Sequence, residues 1–435
     1  MNQRIPLLIA ASFVLVAAWQ LLGPVAGALA AERDAHLLAV KATDWPWWRG
    51  RTRDGVADAG QKPPLRWSDT ENIVWKAAVP GRGHSSPTIV GDRIFLATAD
   101  KARETRSVLC YDRETGRELW NLDVHTGGFE QRGHAKSSQA SATIACDGER
   151  VFANFLDNGN MVTTAVGLDG DKLWQTRVCE FATHQGFGSS PAVYESLVIV
   201  SADSKAGGVV AALDRRDGTI VWSYDRPKQP NYTSPAILRV NGRDQLLLAG
   251  CDRMTSLDPA SGEKLWEIEG STTECVGSVV SDGKLVFASG GYPKKLTLAV
   301  LADGSGKMVW QNDVQTYVPS MLVSKGHLYT VTDGGIAMCW EAATGNEAWK
   351  SRLGGTFNAS LVLVGDQVFA TNQEGRTFIF KASPAKFQLI AENQLGDDVY
   401  ATPVVCGDRI YLRVARRDGE KRQEWLYAIG DSVGN

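Results

Sequence analysis

The chain has 435 residues, a formal net charge of −3 and a pI near 6.1, with 43% hydrophobic and 22% charged residues. That balance excludes a general polyanion binder, because phosphate backbones and anionic membranes are held by a concentrated basic face; no nucleic-acid partner is expected. Length alone would suggest about three domains at roughly 150 residues each, an expectation that the internal repeats overrule.

At the N-terminus, Arg4 precedes an apolar run over 5–22 and the small-residue pattern Ala28-Leu29-Ala30. This reads as a secretory signal spanning 1–30 and cut after Ala30. The run is also long enough for an uncleaved membrane anchor, which stays open as the alternative. No cysteine follows it closely, so a lipid-anchored form is not expected. Residues 31–71 form an extension containing DWPWWRGRTRDGV over 44–56.

From there a tryptophan recurs every 39 to 54 residues: Trp75, Trp120, Trp174, Trp222, Trp266, Trp310 and Trp349. Six of them close a common phrase, such as CYDRETGRELW over 110–120 and SLDPASGEKLW over 256–266. Each phrase carries glycine four residues before the tryptophan: Gly116, Gly170, Gly218, Gly262, Gly306 and Gly345. Glycine there permits a φ > 0 turn into the next strand. Asp112, Asp214, Asp258 and Glu341 stand eight residues before four of the tryptophans.

Upstream of each phrase lie two β-branched runs around a Gly-Asp type turn, a hairpin signal. These blocks begin near Ser85, Ala140, Ser189, Ser234, Ser278, Pro319, Ala359 and Thr402. Hairpin, third strand and tryptophan-bearing fourth strand make one four-stranded antiparallel unit. A sheet so small cannot bury its own faces, and stacking such units radially predicts an all-β, eight-bladed β-propeller over 72–430, with a short tail at 431–435. The last hairpin lacks a fourth strand, and NIVWKAAVP over 72–80 has a tryptophan without a hairpin. The strand around Trp75 is therefore expected to complete the final blade and remove its open edge. In blade seven an aliphatic run near Ile390 replaces the tryptophan, which predicts a softer seam.

Seven cysteines in an exported chain leave at least one unpaired. Cys110 and Cys339 fall ten residues before their tryptophans, where Ala212 and Val300 stand in other blades, and read as small core residues. Cys251 and Cys275 fall on one face of adjacent blades and are the candidate disulfide. Near the C-terminus, Arg413, Arg416, Arg417, Lys421 and Arg422, interrupted by Asp418 and Glu420, read as a solvated loop.

The tryptophan phrase resembles the docking motif of pyrroloquinoline-quinone (PQQ) type propeller repeats over about 72–430, and the 44–56 segment resembles the leader of a secreted bacterial subgroup. In that family the alanine, glycine and tryptophan lock each blade to its neighbour. The resemblance implies two different functions. Quinoprotein dehydrogenases hold PQQ and Ca²⁺ in the funnel, using adjacent cysteines, an aromatic floor and a carboxylate and amide cluster. BamB-like propellers are scaffolds in outer-membrane β-barrel assembly. This chain has no adjacent cysteines, and its tryptophans outside the docking set either precede the ring or fall in third strands, so none is expected to stack on a quinone.

Inter-blade loops and the loops between second and third strands share one face of a propeller. On it fall Arg82, His84, His134, His184, Asn231, Tyr232, Tyr292, Tyr317, Asp333, Asn358 and Tyr400, the candidate ligand-binding residues. His125 lies there as well. Histidines beside Asp203 or Glu180 could bind a metal or act as acid and base, but their spacing matches no local metal motif, and capping of exposed backbone is the plainer role. The tyrosines would make an adhesive surface for peptide or sugar. The expected function is noncatalytic binding of an envelope protein or glycan by a monomer without cofactor or metal. A PQQ-dependent dehydrogenase, or a metal-bearing funnel with hydrolytic or lyase activity, is the alternative.

Overall fold

The computed structural model describes residues 40–130, 132–419 and 421–431; the signal segment at 1–30 and its reading as an anchor lie outside the described residues. Eight four-stranded antiparallel sheets account for every strand among the described residues, and no helix occurs there. The fold is an eight-bladed β-propeller. In blade one the strands run Thr88–Val90, Arg93–Asp100, Thr105–Asp112 and Glu118–Thr126 from the channel outwards. Middle strands such as Leu197–Ser204 are buried along their whole length between neighbouring blades, hence their unbroken runs of small and branched residues. Outer strands such as Ile220–Arg226 alternate exposed and half-buried residues, the mark of a sheet with one wet face.

The turn into each outer strand explains the recurring acid and glycine. Asp112 Oδ1 accepts the Glu114 and Thr115 amides at 3.1 and 2.8 Å and the Thr115 hydroxyl at 2.7 Å. These hydrogen bonds, led by Thr115, hold its carboxyl below the usual range. Gly116 then sits at φ +72°, and a Cβ there would lie 2.5 Å from the indole of Trp75 on the preceding blade. Glycine is required both by its backbone and by the ring lying on it. The same contact joins Gly170 to Trp120, Gly218 to Trp174, Gly262 to Trp222 and Gly345 to Trp310. Five of the indoles also donate to a carbonyl of the next blade, Trp75 to Arg113, Trp120 to Leu168, Trp174 to Arg215, Trp310 to Ala342 and Trp349 to Ser383, at 2.8 to 3.1 Å. Across the sheet each tryptophan faces a small residue: Cys110, Ala165, Ala212, Ser256, Ala299, Cys339 or Ala428. In blade five the turn is one residue longer, closed by Leu301 N→Lys307 O, and this places Ala299 rather than Val300 in that position.

Trp266 departs from the docking pattern. Gly306 faces Ile268 instead, and the Trp266 indole donates to Gln245 Oε1 at 2.8 Å. The Gln245 amide in turn donates to Ala302 O of blade five at 3.0 Å, so a glutamine relays the contact between the blades.

In the last blade, Val404–Cys406, Arg409–Asp418 and Lys421–Ile429 are completed by Ile73–Val79, with Trp75 opposite Ala428. The basic run expected as a solvated loop belongs to these strands. Arg413 is only 2% exposed; it bonds Glu424 at 2.5 Å and Ala97 O of blade one at 2.6 Å. Arg422 pairs with Asp398 and Glu424. A guanidinium with several donors can be desolvated there because Arg413 finds Glu424 within its own blade and Ser85, Ala97 and Thr98 across the seam.

The seam after blade seven is braced from outside. Ala391 occupies the tryptophan register, opposite Ile379, and Trp67 of the N-terminal extension is buried in the same cluster. Asn393 holds that segment, accepting the Trp67 amide and donating to Leu65 O, both at 3.0 Å.

The rest of the extension crosses the central channel. Trp45 pairs with Ile89 of blade one, Pro46 O accepts the Cys146 amide of blade two, and Arg53 bonds Val193 O of blade three. Trp48 donates to Ser278 of blade five at 2.8 Å. Arg49 reaches Met321 O of blade six and Leu361 O of blade seven at 2.6 and 2.7 Å, and burial pushes its pKa down to about 10.

All seven cysteines are free thiols, which corrects the candidate disulfide: Cys251 Sγ faces Gln229 O at 3.8 Å, whereas Cys275 Sγ faces the Thr272 hydroxyl at 3.5 Å.

Two outcomes follow from this architecture. A chain lacking residues 72–80 exposes the edge of strand Lys421–Ile429 and should be recovered as aggregate; a soluble protein with unchanged melting would contradict the closure. Trp266→Ala should cost about 3–5 kcal/mol in chemical denaturation, as for other buried large-to-small changes.

Candidate funnel site

Two residues before each inner strand stands a hydroxyl: Ser86, Thr143, Ser190, Ser234, Ser278, Ser320, Ser360 and Thr402. Each hydroxyl can accept the amide of the preceding blade's counterpart. Seven of the eight links are present, from Ser86 N→Thr143 Oγ1 at 3.0 Å round to Thr402 N→Ser86 Oγ at 3.0 Å. At the remaining position Ser278 Oγ takes the Trp48 indole instead. A girdle of neutral hydroxyls thus lines the channel, and Trp48 enters it from the extension.

Above the girdle lies a cavity of about 430 Å³. Its aromatic walls are Trp48, His84, Phe187, Tyr232, Tyr317 and Tyr400, and none of the described residues that line it is a carboxylate. Trp48 was not expected here, because irregular chain preceding a ring carries no periodicity to show where it docks. The hydroxyls stood in the sequence as the serines and threonines opening each hairpin block, where they read as strand starts.

His84 stacks on Tyr400, with ring centroids 4.1 Å apart and planes 16° from parallel. Its Nδ1 lies 3.4 Å from Ser141 Oγ, while Nε2 has no hydrogen-bond partner in the protein. Burial, reinforced by Arg82, Arg413 and Arg422 and opposed by Asp398, holds the imidazole well below its ordinary pKa. It is a neutral ring at pH 7. Tyr400 also accepts Gln373 Nε2 at 2.6 Å, and burial raises the phenol's pKa.

His134 and Asn358 join this lining, and Arg82 lies beside it, donating to Lys136 O at 3.1 Å. His184 and Tyr292 line a second cavity of about 300 Å³ with Tyr317 and Glu274. Two candidates point elsewhere. Asn231 is buried and bonds Asp203, Ala249 O and the Cys275 amide, tying blades three to five together. Asp333 accepts the Tyr317 and Val318 amides at 2.6 and 3.0 Å, and burial raises its pKa. Both hold backbone that the loops leave unpaired.

The suggested histidine-carboxylate site does not assemble. His125 lies against Asp157 and Phe155, Asp203 is paired with Arg226 at 2.8 Å, and Glu180 pairs with Arg177. Among the described residues no group of three or more His, Cys, Asp or Glu is placed to hold a metal ion.

The closed ring, its docking phrases and its funnel define an eight-bladed propeller of the PQQ-repeat type. The family described as outer membrane protein assembly factor BamB matches residues 59–184 and 104–351, and the chain belongs to it. Among curated proteins, the tetrathionate hydrolase of Acidithiobacillus ferrooxidans is 22% identical over 316 residues, 69% of this chain and 51% of that protein. The chain thus spans about half the length of this relative. Among solved structures, BamB from Moraxella catarrhalis is similar with a TM-score of 0.58 at 15% identity, covering 83% of this chain and 98% of that one. A quinohemoprotein alcohol dehydrogenase from Pseudomonas putida HK5 reaches 0.66 at 12% identity, covering 93% and 82%. At such identities the likeness shows the fold alone.

One pH effect follows from His125, which the structure places in the outer strand Glu118–Thr126 of blade one rather than in an inter-blade loop. Burial, opposed by Asp157 and aided by Arg106, lowers the His125 pKa to about 4. The unfolded chain takes up this proton near pH 6.5 while the folded chain resists it, so the stability contribution is full above about 6.5 and drains as pH falls towards 4. His125→Gln should flatten the acid limb of a melting-temperature profile between those values; an unchanged limb would contradict it.

Proposed function

We propose that this chain is an exported, noncatalytic binding propeller whose funnel face takes a glycan or a protein segment of the cell envelope. The observation that carries this reading is the main cavity itself: neutral hydroxyls below, aromatic faces around, and no carboxylate or activated nucleophile among its walls. Aromatic side chains with few torsions hold sugars or peptides at low entropic cost. Export rests on the N-terminal signal pattern, and the family's description as an assembly factor supports a role in the envelope.

The Ca²⁺–quinone pair of the dehydrogenases does not fit these residues. Trp48 supplies an aromatic floor, but the cavity walls offer no acidic ligand for Ca²⁺ and only Lys136 as a cation for the carboxylates of PQQ. No two cysteines are adjacent.

The test is affinity capture from envelope extract with the wild type beside a His84→Ala, His184→Ala, Tyr292→Ala triple variant. Partners captured by the wild type should be lost with the variant, and identical sets would exclude this face. Titration with PQQ and Ca²⁺ should give no saturable change in visible absorbance or melting. Turnover of a dye-linked alcohol, or of tetrathionate as the named substrate of the curated relative, would replace the binding role with an enzymatic one.

A further inference from the structure

Glu274 sits in the loop between blades four and five and is 4% exposed. Its backbone is clamped to the neighbouring loop, its amide donating to Tyr292 O at 3.1 Å and its carbonyl accepting the Gly291 amide at 3.4 Å. The carboxylate is thereby held at one place in the wall of the second cavity, with His184, Gln185, Gly291, Tyr292, Gln315 and Tyr317 around it. One oxygen accepts the Tyr317 hydroxyl at 2.9 Å, and the other lies 3.5 Å from His184 Nε2.

This carboxylate differs from the other buried acids of the ring. Asp203 is matched by Arg226, Glu424 by Arg413 and Arg422, Asp147 by Arg215, and Asp398 by Arg417 and Arg422. Among the described residues Glu274 has no lysine or arginine in its ion pairs, only a phenol and a histidine whose side chain is 36% exposed. Removing a carboxylate from water is costly unless a countercharge accompanies it. The opening beside it is walled by phenol rings, and Tyr292 is 58% exposed at the rim. Phenol faces attract cations, most strongly where water is excluded.

We propose that the Glu274 cavity binds a cationic nitrogen group, a primary ammonium paired with the carboxylate and flanked by Tyr292 and Tyr317. The proposal deepens the funnel-face binding role and rests on it. An ammonium can come from a lysine side chain of a protein segment or from an amino sugar of a glycan; the chemistry at Glu274 is shared. No bond forms or breaks, and the group enters from solvent past Tyr292.

The experiment is calorimetric titration of the purified protein with three probes: a tetralysine peptide, a glucosamine trimer, and the N-acetylglucosamine trimer as the uncharged control. One or both charged probes should bind, and the acetylated trimer at least tenfold more weakly. Glu274→Gln keeps the size and the Tyr317 acceptor while removing the charge, so it should weaken the charged probes at least tenfold without changing the melting temperature. Tyr292→Ala, at an exposed position, should weaken them severalfold and guards against a folding defect in the first variant. Lysine binding alone assigns the source to protein, and glucosamine binding alone assigns it to glycan. Equal binding to wild type and Glu274→Gln, no binding of either charged probe, or displacement of the probe by millimolar Ca²⁺ would overturn the assignment. If those failures occur while the triple variant still loses its envelope partners, the funnel role stands and only the ammonium site falls.

Discussion

The whole ring depends on an indole lying flat against a glycine that has no side chain to hold it off. Each blade is too thin to cover its own faces, and the contact of Trp75 on Gly116, repeated at four further seams, joins one sheet to the next at close range. At four of these five seams it combines apolar burial with a directed hydrogen bond from the indole to a carbonyl of the neighbour, which fixes the angle as well as the distance between blades, whereas the Trp222 indole on Gly262 has no hydrogen-bond partner among the described residues. Where the pattern lapses, other groups take over the same duty. Gln245 carries the link beside Trp266, Trp67 reinforces the seam at Ala391, and Arg413 with Glu424 ties the last blade to the first.

Charge is spent chiefly at these seams. Arg226 with Asp203, Arg215 with Asp147 and Arg106 with Asp157 each bridge neighbouring blades or hold the loops between them. The girdle itself is built of neutral groups, since its hydroxyls meet backbone amides and ask for no ions. That division gives Glu274 its distinct character, as a buried acid at the funnel mouth facing phenols rather than guanidinium.

Much of this was legible in the chain before any coordinates. Strict spacing between glycine and tryptophan, with alternating outer strands and unbroken inner ones, pointed to eight blades and to closure by the strand around Trp75, because these are local patterns repeated many times. Residues 44–58 were opaque. They have no period of their own, and their contacts with six blades lie far away in sequence, so nothing in the tryptophans at 45, 47 and 48 distinguishes a leader from a plug. The face carrying the candidate residues followed from topology, but the direction of each side chain did not. Asn231 and Asp333 turn inward because loop amides need acceptors more than solvent needs polar groups, whereas His84 and Tyr400 meet only because blades one and eight are joined.

That junction has a temporal consequence. The strand Ile73–Val79 finds its partner in Lys421–Ile429, at the far end of the chain, and the segment holding Trp48 needs inner strands from most of the blades in between. The strand Ile73–Val79 and the segment holding Trp48, made before the blades they join, are therefore the last to reach their places. A nascent chain can stack early blades as they emerge, but it carries an unpaired strand until Lys421–Ile429 is made, since sheet contacts between distant parts form slowly and leave sticky edges while they wait. A ring that lacks Lys421–Ile429 therefore has no seat for Ile73–Val79.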